Sequence, residues 1–128
     1  MKTMLQKGDA VPHFQVTRAD GSTVAYGTIW QHRDLVLLAL PSGDEGAEYA
    51  AALAERMSRF DGAPAECVVT RTAIPGIPAP AAIVADRWGE IYFAAAAEHV
   101  DGLPAPDELV DWLRYVQVKC PECEGEAR

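Results

Sequence analysis

Cys120-Pro121-Glu122-Cys123 is where residue types and spacing in this chain most plainly spell out chemistry. Two cysteines separated by two residues can close into a disulfide or open into a dithiol, the working couple of thiol–disulfide exchange. The same spacing is one knuckle of a zinc site. Zinc takes four ligands, so two thiolates from each of two tails would have to meet in a homodimer. A third reading is a solvated tail whose thiols do nothing specific. The neighbourhood disfavours thiolate. The pair follows what reads as a helix C-terminus, the negative end of the dipole, and Glu122, Glu124 and Glu126 add charge of the same sign.

The other candidates read more simply. Cys67 lies inside an apolar stretch and reads as a buried core thiol. His13, His32 and His99 are scattered without ligand spacing and read as surface or packing residues. Asp44 and Glu45 could form an acid/base pair. Ser42 and Glu45, however, have the Ser-x-x-Glu spacing of a capping box, and both carboxylates suit the positive end of a helix. Trp30, Trp88 and Trp112 read as core or rim aromatics.

The elements that must position these residues follow from pattern. Asp20-Gly21 is a hairpin turn between Phe14–Thr17 and Thr23–Tyr26. Leu35–Leu40 is apolar without alternation, which predicts a strand buried on both faces. Pro41 ends it. The spacing of Ala50, Leu53, Ala54, Met57 and Phe60 then predicts a helix with one core-facing stripe, stopping near Gly62. Ala65–Arg71 reads as a second buried strand, followed by a proline-rich loop from Ile74 to Pro80. Ala81–Ala85 and Ile91–Ala95 form a hairpin around Asp86–Glu90. Pro104 and Pro106 open a last helix with Leu109, Trp112, Leu113 and Val116 inward. Pro121 cannot continue it. The order is hairpin, β, α, β, loop, β, β, α, with a βαβ unit at its centre.

Composition sets the class. A chain of 128 residues, 49% hydrophobic, suits one domain with one core. A net charge of −8 argues against nucleic acid, whose phosphates call for clustered Lys and Arg, and against an anionic membrane surface. The apolar runs are too short to span a membrane, and Met1–Lys7 lacks the apolar core of a signal peptide, so a cytoplasmic protein is expected. Three cysteines do not suggest a secreted disulfide framework.

Gly8-Asp9-Ala10-Val11-Pro12-His13-Phe14 and Asp20-Gly21-Ser22-Thr23-Val24 resemble the opening of the redoxin group of the thioredoxin-like superfamily, the alkyl hydroperoxide reductase/thiol-specific antioxidant proteins and their relatives. Pro80 and Asp86-Arg87-Trp88-Gly89-Glu90-Ile91 resemble that group's later motif. The resemblance runs from about Gly8 to Val118. It implies an α/β, three-layer thioredoxin-like fold over residues 1–119, a central mixed sheet flanked by helices with an N-terminal hairpin, and a separate tail at 120–128. It also implies a cis bond at Ala79-Pro80 and a groove between Ser42-Gly43 and Ala79-Pro80 where a protein or peptide partner binds.

The departures bear on function. The peroxiredoxin spacing after Pro41 would put Thr at 45 and the peroxidatic Cys at 48, where this chain has Glu45 and Glu48. A thioredoxin-type pair would fall near Asp44 and Ala47. The arginine that peroxiredoxins carry before the hairpin is replaced by Pro80. Peroxidase activity at that place is therefore expected to be absent. Any thiol–disulfide chemistry falls to Cys120 and Cys123. No cofactor is expected apart from the zinc that those tail thiols could hold.

Overall fold

The computed structural model describes residues 5–18, 20–29, 33–41, 43–60, 62 and 65–119. The expected order is present. Strands β1 (Gln15–Thr17) and β2 (Thr23–Ala25) form the hairpin, and helix α1 (Tyr26–Ile29) follows. Then come β3 (Asp34–Ala39), α2 (Asp44–Ser58), β4 (Ala65–Thr70), β5 (Ala81–Ala85), β6 (Ile91–Ala96), a short 3₁₀ turn (Val100–Gly102) and α3 (Pro106–Lys119). Neither α1 nor the 3₁₀ turn is visible in the sequence pattern, because each is too short to show a helical period.

The main sheet has the order β4-β3-β5-β6. β3 and β4 are parallel, and β5 and β6 run antiparallel to their neighbours. β3 and β5 are buried along their whole length, as their unbroken apolar runs require. β4 is half-buried except at Thr70, because it forms one edge.

Side chains leave a strand alternately to its two faces. Val36, Leu38, Ala82 and Val84 point to one face, packed beneath Leu53 of α2 and Leu109, Leu113 and Val116 of α3. Leu35, Leu37, Ile83 and Ala85 point to the other, beneath Val11, Val16, Tyr26, Ile74 and Ile77. Both long helices therefore share one face. The hairpin, four-residue α1 and the proline-rich loop cover the second. Among the described residues, no helix is long and apolar enough to cross a membrane.

The helix stripes need one correction. Leu53 of α2 is buried, and Tyr49, Ala50, Met57 and Phe60 pack against it, but Ala54 is exposed. It lies about 100° round the helix from Leu53, and Tyr49 takes the flank that the sequence assigned to it. In α3, Leu109, Leu113 and Val116 are buried as expected, while Trp112 is half-buried and stacks on Phe93 at 5.0 Å.

Register defines two ends of the sheet. At one, Ala39 lies opposite both Thr70 and Ala81, and Ala81 opposite Ala96. The turn into α2, the end of β4 and the loop into β5 all meet there. At the other, Asp34 lies opposite Ala65, and Leu35 opposite Ala85. α2 must run from the first end to the second to reach β4. β6 ends at the first end, and α3 then brings Gln117 to hydrogen-bond Asp34 at the second.

Candidate functional site

The first end holds the residues that could act together. Pro41 closes β3, and its carbonyl accepts a hydrogen bond from the Arg71 guanidinium at 3.4 Å. Leu40 N–H donates to the Thr70 carbonyl at 2.9 Å, continuing the parallel ladder past the last residue of β3. Gly46, in the first turn of α2, is buried over this turn, and a Cβ there would stand 2.8 Å from the Pro41 oxygen. The sharp entry into α2 thus depends on a residue without a side chain at 46.

The capping box does not form. The N-cap is Gly43, with φ 136° and no side-chain cap hydrogen bond, and the helix starts at Asp44. Glu45 therefore sits at the second helical position, one short of the place a reciprocal cap requires. Ser42 itself is outside the described residues. Asp44 and Glu45 remain in the first turn, where the dipole favours them. Glu45 and Glu48, at the positions where the peroxiredoxin pattern has Thr and Cys, are exposed.

The loop from β4 to β5 faces the same end. Ile74 and Ile77 are buried beneath it, whereas Pro75 and Pro78 are exposed. Leu5 N–H bonds the Gly76 carbonyl at 2.9 Å, and the Leu5 side chain lies where a Cβ on Gly76 would go. Ala79-Pro80 is a cis bond, as the resemblance implies, and the Pro80 carbonyl accepts from Ala97 N–H. Gly43, Ala79 and Pro80 thus share one end of the sheet.

Pattern reading missed the hydroxyl cluster beside this loop. Thr70 Oγ1 accepts from Thr17 N–H at 3.0 Å and lies 3.2 Å from Thr72 Oγ1, which reaches Thr17 Oγ1 at 3.4 Å. Arg71 N–H donates to the Thr17 carbonyl at 2.8 Å, pinning the hairpin to the end of β4. The signal available in the sequence was a threonine closing an otherwise apolar strand.

Cys67 packs against the core beneath the helices, and burial pushes its thiol up to about 11. At neutral pH it is protonated, but because β4 is an edge strand the thiol is half-buried rather than enclosed as the sequence implied. His13 lies edge-on to Tyr26, with ring centroids 6.3 Å apart, and His99 precedes the 3₁₀ turn. Trp88 is 58% exposed, with Arg87 over its ring. Among the described residues, no three His, Cys, Asp or Glu side chains gather as a metal site. Trp30, His32, Cys120 and Cys123 lie outside the described residues.

The opposite end carries a buried carboxylate that the sequence did not announce. Asp34 is 4% exposed, and burial raises its pKa against the opposing effects of a Gln117 hydrogen bond and the nearby Arg87 charge. Asp86 is also buried, but turn geometry explains it: its Oδ1 accepts the N–H groups of Trp88 and Glu90.

No protein-family model matches the chain, and no curated protein matches it in sequence. Solved structures do match. A thiol peroxidase from Chromobacterium violaceum is 16% identical, with a TM-score of 0.62 over 94% of this chain and 92% of that one. A peroxiredoxin-like protein from Aquifex aeolicus gives 0.63 at 16% identity, over 88% of each chain. AhpC from Mycobacterium bovis gives 0.62 at 12% identity, over 89% of this chain and 98% of its own. At these identities the likeness is one of fold. The chain has the thioredoxin-like fold in the form that peroxiredoxins share.

Proposed function

We propose that this protein is a non-enzymatic thioredoxin-like module that binds polypeptide at the end of the sheet where Gly43, Ala79 and Pro80 lie. The carrying observation is the chemistry of that end. In this fold a thiol at the start of α2 would be activated by the helix dipole. Here Asp44 and Glu45 occupy the first turn and Glu48 is exposed just beyond it. Carboxylates cannot attack a peroxide or a disulfide as a thiolate does. The described cysteine, Cys67, is half-buried against the core, and desolvation holds its proton. What remains is a surface of exposed prolines and half-buried Ala79, suited to contact rather than reaction.

Two measurements test this. Hydrogen peroxide consumption in the presence of dithiothreitol should stay at the rate of dithiothreitol alone, and a rate abolished by Cys67→Ser would overturn the reading. Reduced, carboxymethylated ribonuclease, an unfolded polypeptide probe, should shift the amide signals of Gly43, Ala79 and Ala81. Ala79→Asp, which places a charge in that surface, should weaken the binding at least tenfold. Signals that stay in place at saturating probe would refute it.

A second reading rests on the spacing of Cys120 and Cys123: a thiol–disulfide role carried by the tail, or a zinc-linked homodimer of two tails. Mass with and without reductant, metal content and oligomeric mass decide it. A metal-free monomer with two permanently free tail thiols would remove both forms.

A further inference from the structure

Among the described residues, the outer edge of β4 has backbone groups without a backbone partner, and its geometry indicates what would cover it. Thr70 directs its carbonyl to Leu40, so its backbone groups face β3. Backbone groups alternate along a strand, so Glu66 and Val68 also face β3, while Cys67, Val69 and Arg71 face outward. Arg71 N–H is already taken by the Thr17 carbonyl. Among the described residues, nothing pairs with the outward groups of Cys67 and Val69. A hollow of about 340 Å³ lies beside them, lined by Val16, Arg18, Glu66, Cys67, Val68 and Val69.

Edge strands are commonly guarded by charged side chains, lysine above all, by proline or by a bulge, and β4 has the single charge of Glu66. Ala65-Glu66-Cys67-Val68-Val69 has no lysine or proline, and its register with β3 runs unbroken from Ala65 to Thr70. The bond from Arg71 to Thr17 has begun a ladder on this edge, and the next groups are left to be completed.

We propose that the β4 edge takes an extended segment of a partner polypeptide, which continues that ladder through the outward backbone groups of Cys67 and Val69. Backbone N–H and C=O groups spaced along an edge are met in full only by another extended chain. The hollow sets the partner's side chains. An apolar residue fits against Val16 and Val68, and a carboxylate suits the exposed Arg18 where it stands away from Glu66, the other charge lining the hollow. A second copy of this chain is the less favoured occupant, because each copy carries a net charge of −8.

The probe is a capped heptapeptide alternating valine and threonine, with one glutamate near its end. It should produce saturable shifts at the Cys67 and Val69 amides. Val69→Pro removes an outward N–H and no bond to β3, so the protein should fold and lose at least tenfold in affinity. Arg18→Glu should also weaken the peptide, and replacing the peptide's glutamate by lysine should restore it. That second pair of measurements decides the question if Val69→Pro unfolds. Three results would overturn the proposal: no saturable binding, equal binding by the parent and both variants, or a parent dimer that Val69→Pro dissociates.

Discussion

Asp34 shows what a single residue can hide. In the sequence it is an acid before an apolar run, the ordinary sign of a strand beginning at the surface. In the fold it is buried at the start of β3, because α3 brings Gln117 over it and the turn at Arg87 closes its side. Burial disfavours the charged form, so its pKa is raised on folding. The folded state therefore prefers Asp34 protonated. The stability this contributes is full below the unfolded pKa and is lost as pH rises through the folded one. At neutral pH the carboxylate carries a net cost. Asp34→Asn keeps the shape and a carbonyl for Gln117 but cannot ionise. The variant should be more stable than the parent in urea at pH 7, with the gain shrinking towards pH 3. A variant less stable at pH 7 would mean that the charge of Asp34 is worth more to Arg87 than its burial costs. Cys67 makes the opposite point. An apolar neighbourhood in sequence was enough to pack it against the core, but not to show that β4 is an edge strand that leaves the thiol half-buried.

At the scale of elements, the strands were legible because burial on both faces writes an uninterrupted apolar run, and β3 and β5 are those runs. The central helix was legible in existence but not in its start. Ser42 and Glu45 have cap spacing, yet the chain needs one more residue to turn out of β3, and Gly43 with its positive φ supplies it. That turn is tight for a reason only coordinates reveal: Gly46 lies against the Pro41 carbonyl. In an ordinary helix, glycine to alanine would stabilise by about 1 kcal/mol. Here the added methyl must push against backbone, and overpacking of this kind costs about 1–3 kcal/mol. Gly46→Ala should therefore lower the urea midpoint at unchanged slope. A raised midpoint would show that the turn into α2 relaxes freely. The candidate site was legible to the same degree as the turn. Gly43, Ala79 and Pro80 could be placed by resemblance, but Thr17, Thr70 and Thr72 could not, since their contacts join residues more than fifty positions apart.

Across the whole molecule, the two ends of the sheet separate the proposed binding surface from the end of α3. α3 has 14 residues, so its ends lie about 21 Å apart at the usual rise. Its last turns bring Gln117 to Asp34, at the end opposite Gly43 and Pro80. The last described turn of α3 thus lies at the far end, away from the dipole at the start of α2. The second reading of the Cys120–Cys123 spacing is that of a dithiol acting apart from the start of α2 and the proline loop. Closing the pair with oxidised glutathione should then leave the amide signals of Gly43, Arg71 and Ala81 unmoved. It should shift signals at Gln117 and Val118. Movement at Gly43 or Ala81 on oxidation would mean that the tail reaches across the sheet. The two ends would then have to be read as one site rather than as a silent surface and a separate pair of thiols.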